Sequence, residues 1–160
     1  MRIALTVNKA NVYDEVAKAS AYAGAKKMAE DQTAYNRIFT TDEDRLLLER
    51  FWVETCNNAT NSLKPFIVSV DTQPISHGID LSRNYNVELE VSASYDTVLT
   101  ESAETSLYTY FVLAILAKWY ALTNKVETEA TALEAAASMK DVLQKIYYRK
   151  KPTRVAPPRY

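Results

Sequence analysis

Hydrophobic and polar residues follow mostly helical spacing along this chain, with one stretch of β-type alternation. Ile3, Leu5 and Val7 alternate with polar neighbours and predict a short strand. From about residue 12 to residue 29, apolar or small residues recur every three or four positions, which predicts a helix with a narrow stripe that can pack closely on a neighbour. The stripe consists of Val12, Val16, Ala19 and Ala23, and extends to Lys27.

A second helix is predicted to begin near Thr40. Thr40 and Glu43 have the spacing of a capping box, and the acids at positions 42–44 suit the positive end of the helix dipole. Pro65 ends the helix because it disfavours helical conformation at the residue before it. The apolar stripe is formed by Leu48, Trp52, Cys56, Ala59 and Leu63, and is widened by Leu47 and Phe51.

Two strands are predicted in the middle of the chain. Residues 66–70 are predicted to form the first, with a last helical turn as the alternative, and residues 72–84, with Pro74 and Gly78, are predicted to form a loop. From Tyr85 to Tyr95, apolar residues up to Ala93 alternate with polar ones, which predicts a strand with one buried face. Two strands alone are marginal, so we expect the sheet to pack within the subunit, with completion by another subunit as the alternative.

The last third of the chain is predicted to form two long helices, at about 101–123 and 126–148. The final helix should be partly exposed, since Lys140 interrupts its apolar stripe. That stripe consists of Val126, Ala130, Leu133, Ala137, Leu143 and Ile146. The fold class that follows is mostly α with a small β element (α+β): a bundle of about four helices with a strand-loop-strand insertion at about 66–95 and an extended C-terminal tail.

The chain of 160 residues suits one domain, at residues 1–148, followed by a basic tail at 149–160. Its formal net charge is −1, but the tail holds five cations and no acid. Without the tail, 14 basic residues stand against 20 acidic ones, so the body carries a formal charge of −6. A basic segment attached to an acidic body indicates a partner for the tail.

Candidate chemistry is sparse, and no catalytic, cofactor-binding or metal site is predicted. One histidine and one cysteine cannot form the usual zinc sites, and two glycines make a glycine-rich nucleotide cradle improbable. His77 beside Gly78 and Asp80 has the residue types of a general base with its carboxylate, but these are also ordinary turn formers. No secretory signal or membrane span is expected, because the longest apolar run, at 107–122, contains Lys118 and is shorter than about 20 residues.

The tail is the predicted docking segment, and its composition permits three interpretations. Its cations can neutralise nucleic-acid phosphates, or its prolines can hold it extended in a groove of a protein partner, with arginines on carboxylates and the last tyrosine in a pocket. It can also be a solvated terminus without a partner. The predicted docking residues are Arg149, Lys150, Lys151, Pro152, Arg154, Pro157, Pro158, Arg159 and Tyr160.

The order of elements resembles the head-to-tail connector, or portal adaptor, proteins of tailed bacteriophages. Two N-terminal helices are followed by a strand-loop-strand, two long helices and a basic terminus, and the second helix is opened by acids at Thr41-Asp42-Glu43-Asp44. That helix carries the stretch LLLERFWVETCNNATNSLKPF. The resemblance covers most of residues 10–160. The long loop at 72–84 and the regular strand at 85–95 depart from the smallest members of that family.

The resemblance implies a structural virion protein without enzymatic activity, located in the neck and assembled in the host cytoplasm. Its copies would form a ring, commonly twelve-fold, that docks through the C-terminal tails onto the portal protein and contacts neighbouring tail or neck proteins. DNA would pass through the channel without specific binding. Two other hypotheses remain: a helical regulator whose tail binds nucleic acid or an acidic partner, and an enzyme or ligand-binding module with a pocket between the helices and the 85–95 strand.

Overall fold

The computed structural model describes residues 1–28, 32–74 and 80–148, apart from the side chain of Asp42. The described chain forms a mostly helical α+β fold, which confirms the predicted class. Its strands are β1 (Arg2–Val7), β2 (Ile67–Val70) and β3 (Tyr85–Glu90). Its helices are α1 (Lys9–Lys27), α2 (Ala34–Ile38), α3 (Arg45–Leu63), α4 (Thr100–Thr123) and α5 (Lys125–Tyr147), with short 3₁₀ turns at Asp42–Asp44, Lys64–Phe66 and Thr97–Leu99.

The three strands form one antiparallel sheet with β3 in the centre and the order β1-β3-β2. Leu5 lies opposite Val87 in the first pair, and Val70 lies opposite the same residue in the second. The sheet packs on α3 and α4 of the same chain, as expected, and β3 pairs on both edges within the subunit. The strand is shorter than predicted, because the chain turns at Ser92–Tyr95, where the Tyr95 N–H donates to the Ser92 carbonyl at 3.0 Å and Ala93 is exposed.

Helix α4 is the centre of the core, as the apolar run at 107–122 predicts. It contacts α1, α3, α5 and β1. Its Phe111 ring lies 5.0 Å from the Trp52 ring of α3 and 5.1 Å from the Tyr85 ring of β3, so the helices and the sheet meet at one aromatic cluster. Among the described helices, none is both long and apolar enough to span a membrane.

The start of α3 differs from the predicted capping box. Thr40 is buried, and its N–H donates to Ser20 Oγ of α1 at 3.1 Å, so it does not cap α3. Asp44 Oδ2 instead accepts from the Thr41 N–H at 2.9 Å, which moves the box-like contact one residue along the chain. The predicted stripe of α3 is confirmed, since Leu48, Trp52, Cys56, Ala59 and Leu63 are all buried.

The bounds of α4 and α5 agree with the prediction to within one residue, but the predicted stripe of α5 is largely wrong. Val126 and Leu133 are 78% and 66% exposed, and Ala130 and Ala137 are exposed as well. The buried stripe consists of Thr131, Ala135, Met139, Val142 and Ile146. Both stripes have helical spacing and side chains of similar size, so the local pattern does not distinguish the buried stripe from the exposed one.

Candidate interaction surface

The nine predicted docking residues between Arg149 and Tyr160 lie outside the described residues. The structure does describe the segment that leads to them. Helix α5 ends at Tyr147, and Tyr148 has φ −61° and ψ 135°, which are extended values. The Tyr148 N–H donates to the Lys145 carbonyl at 3.2 Å. Tyr148, the last residue that the structure describes, is therefore extended.

The last turns of α5 are fixed to the body at two points. The Tyr147 ring lies edge-on to the Phe66 ring, with centroids 4.9 Å apart, next to the start of β2. Lys145 Nζ lies 2.7 Å from Asp141 Oδ2 and 2.9 Å from Ser106 Oγ of α4. Hydrogen bonds from Lys145 and Ser106 hold the pKa of the Asp141 carboxyl below its ordinary value. The tail thus begins at a well-anchored helix end.

Helix α5 carries a second apolar stripe on the side opposite its buried one. We name this stripe the α5 crest and define it as Val126, Ala130, Leu133 and Ala137. The spacing of four, three and four residues places these side chains on one face over a length of about 16 Å. All four are exposed. A contiguous apolar stripe of this kind matches the anchor spacing of helices that dock into grooves.

Acidic residues flank the α5 crest. Glu127 and Glu134 lie on one side of it and Glu129 on the other, and all three are exposed. The crest therefore combines an apolar centre with negative edges. A surface that receives it needs an apolar floor and positive walls.

Two grooves run along the sides of α5, each with a volume of about 560 Å³. The first, between α1, α4 and α5, has Lys26 and Lys27 on one wall and Glu127 and Glu134 on the other. The second lies between the end of α3, α4 and α5, and we name it the alanine groove. Its apolar lining includes Ala114, Ala117, Ala132, Ala135, Ala136, Met139 and Leu143. The described residues that line it include Lys118 and Lys140 but no acid.

The first groove ends at Asn124, the joint between α4 and α5. Asn124 is 5% exposed, and its Oδ1 accepts from Lys27 Nζ at 2.8 Å. Its Nδ2 is the one buried side-chain nitrogen or oxygen without a hydrogen-bond partner among the described residues. An unpaired buried amide costs about 1–3 kcal/mol. This end of the first groove is thus polar and mixed in charge, unlike the alanine groove.

Of the residues considered for catalysis, the structure describes Asp80 and Cys56. His77 and Gly78 lie outside the described residues. Asp80 Oδ1 accepts from the Ser82 N–H at 3.0 Å and from Ser82 Oγ at 2.6 Å, an Asx-type turn, and these hydrogen bonds lower the pKa of Asp80. Cys56 is buried, and this burial raises the pKa of its thiol, so it is a poor nucleophile. The described residues contain no cluster of potential metal ligands.

A buried charged pair in the core was not predicted from the sequence. Lys9 at the start of α1 is 2% exposed and pairs with Glu49 of α3, which is 4% exposed. Tyr13 Oη donates to Glu49 Oε1 at 3.0 Å, and Lys9 Nζ lies 5.8 Å from the centre of the Trp52 ring. Burial, and secondly the Glu49 charge, raise the pKa of Tyr13. The available signal was the position of Glu49, three residues before Trp52 and therefore on the stripe of α3.

Comparisons of the chain with protein-family models, with curated proteins and with solved structures found no match.

Proposed function

We propose that this chain is a structural virion protein of the head-to-tail connector of a tailed bacteriophage. Its copies form a ring, commonly twelve-fold in the family that the sequence resembles, and the ring docks beneath the portal through the basic tail at 149–160. The observation that carries the proposal is the exposed α5 crest. A single copy leaves this apolar stripe in water, whereas assembly with further copies removes it from water.

The tail fits a docking role in such a ring. Its five cations suit carboxylates on a portal-like partner, and the prolines favour an extended segment that loses little conformational entropy on binding. Many tails fixed on one ring raise the effective concentration of each, so each needs only a weak contact. The anchored end of α5, with Tyr147 against Phe66, supplies a defined starting point for every tail.

The charge of the body fits a channel for DNA. Residues 1–148 carry a formal charge of −6, and a negative wall repels the phosphate backbone, so DNA can pass without adhering. We therefore expect the purified assembly to bind duplex DNA weakly at physiological salt. A gel-shift or fluorescence-anisotropy titration measures this, and tight binding would contradict the channel role.

Native mass spectrometry of the full chain, alone and with a portal-like partner, tests the proposal. The expected result is a closed multiple of the subunit mass that binds the partner. A chain cut after Tyr148 should keep its helical circular dichroism and thermal stability, because the aromatic core and the α4–α5 pair lie before the cut, but should lose the partner. A monomer that binds DNA in a salt-sensitive manner, and loses that binding on truncation, would favour the regulator instead.

A further inference from the structure

We infer that the α5 crest of one copy docks into the alanine groove of the next copy. The inference rests on the proposed function insofar as the occupant is taken to be a second copy of this chain. It goes further by naming both contact surfaces and the head-to-tail direction of assembly. Four properties of the described residues carry it: shape, charge, symmetry and the exposure of the crest.

The shapes of the two surfaces correspond. The crest presents two larger anchors, Val126 and Leu133, separated by the smaller Ala130. The groove is lined mainly by alanines from α4 and α5, and short side chains let the backbone of an entering helix come close. Its length along α5, from Ala132 to Leu143, is about 16 Å and equals the length of the crest. The large side chains of the crest would therefore contact the small side chains of the alanine groove.

Charge distinguishes between the two grooves. The crest has Glu127, Glu129 and Glu134 along its edges, so a groove that carries acids would repel it. The groove between α1, α4 and α5 has two acids as well as two lysines in its wall, whereas the charged residues in the described lining of the alanine groove are Lys118 and Lys140 alone. Lys118 is paired with Glu54 Oε2 at 2.9 Å, so Lys140 is the groove cation that has no ion pair among the described residues and can meet the acids of the crest. The alanine groove is the complementary one.

The positions of crest and groove on α5 determine the symmetry of the contact. Groove residues Ala132, Ala136 and Leu143 are centred about 100° around the helix from the crest. Docking one copy therefore uses the crest of the first and the groove of the second, and leaves a groove on the first and a crest on the second open for further copies. Such a heterologous contact propagates head-to-tail and produces a ring when the rotation closes.

Disulfide trapping between two kinds of copy tests the contact. One full-length variant carries Leu133→Cys in the crest, and the other carries Ala114→Cys, on the α4 side of the groove. The native Cys56 is 1% exposed, so the introduced thiols are the accessible ones. After mixing and mild oxidation, we expect a disulfide between the two kinds of copy and little between two Leu133→Cys copies. A third variant, Val98→Cys, is a control. Val98 is 78% exposed but lies just before the N-terminus of α4 and belongs to neither the crest nor the groove.

The outcomes separate this inference from the proposed function. Predominant disulfides between two Leu133→Cys copies would mean that crests meet in a symmetric dimer, which overturns the docking. A closed ring by native mass without the mixed disulfide also overturns it but leaves the ring itself standing. The mixed disulfide in a chain that binds no portal-like partner supports the docking and contradicts the connector role. A chain that stays monomeric and forms no mixed disulfide at its highest attainable concentration overturns both.

A matched set of charge variants gives a second measurement. Val126→Glu places a carboxylate in the crest, and we expect at least a tenfold loss of association; Val98→Glu has the same native exposure and should leave association unchanged. Lys140→Glu in the alanine groove should weaken association, whereas Lys26→Glu in the other groove should not. Circular dichroism confirms the fold of each variant. Equal effects of Lys140→Glu and Lys26→Glu would contradict the choice of groove.

Discussion

Helices α3 and α5 both pack against α4, but α3 has one main apolar face and α5 has two. Helix α3 buries Leu48, Trp52 and Leu63, and the Trp52 ring reaches the Phe111 ring at 5.0 Å. Along its first two thirds, α5 buries only Thr131, Ala135 and Met139, while Val126 and Leu133 point away from the core. The core therefore uses the one main apolar face of α3, whereas it uses only one of the two apolar faces of α5 and leaves the other for another surface.

The largest expected effect is at Trp52. Trp52→Ala should lower the free energy of unfolding by about 4 kcal/mol, because it removes a fully buried ring and leaves a cavity beside Phe111. Leu133→Ala on α5 should change the stability of the isolated subunit by less than about 0.5 kcal/mol, since that side chain is exposed. Urea denaturation at low protein concentration measures both. Similar losses for the two variants would remove the contrast between the helices.

A smaller but clear effect is expected at the buried pair between α1 and α3. Lys9→Met should lower the free energy of unfolding by about 3 kcal/mol, because it leaves the Glu49 carboxylate buried without its cation. The hydrogen bond from Tyr13 Oη to Glu49 remains. The double variant Lys9→Met with Glu49→Leu serves as the control, since it removes both charges and should recover much of the loss. If the double variant is no more stable than the single one, the loss of stability comes from the packing of the Lys9 side chain and not from its charge.

Two alanines of α5 give the finest comparison. Ala135→Leu adds volume on the stripe that packs against α4, and this overpacking should lower the free energy of unfolding by about 2 kcal/mol. Ala137→Leu places the same side chain on the α5 crest and should change the stability of the isolated subunit by less than about 0.5 kcal/mol, because alanine and leucine have similar helix propensities. Thermal unfolding of the two variants checks this. A large loss for Ala137→Leu alone would mean that the crest faces the core.

Particular residues explain which parts of the fold could be predicted. The buried stripe of α3 was predictable because Leu48, Trp52 and Leu63 lie on one face of the helix, and no other face of α3 is comparably apolar. The strand at Tyr85–Glu90 was predictable from its alternation, but its end was not, because Ala93 continues the pattern while the chain turns between Ser92 and Tyr95. The capping contact was misplaced by one residue because Ser20, distant in sequence, binds Thr40. For the candidate surface, the sequence indicated the tail, but the α5 crest required the packing of α5 on α4.

The sequence by itself determined the helical class, the order of the elements, the apolar stripe of α3 and the separation of a basic tail from an acidic body. These follow from local spacing and charge, which any conformation of the chain retains. Only the tertiary structure decided which of two helically spaced stripes on α5 is buried, and that Lys9 meets Glu49 in the core. The buried stripe of α5 and the Lys9–Glu49 pair depend on contacts between residues far apart in the chain. The local pattern of the sequence carries no information on the free energies of such contacts.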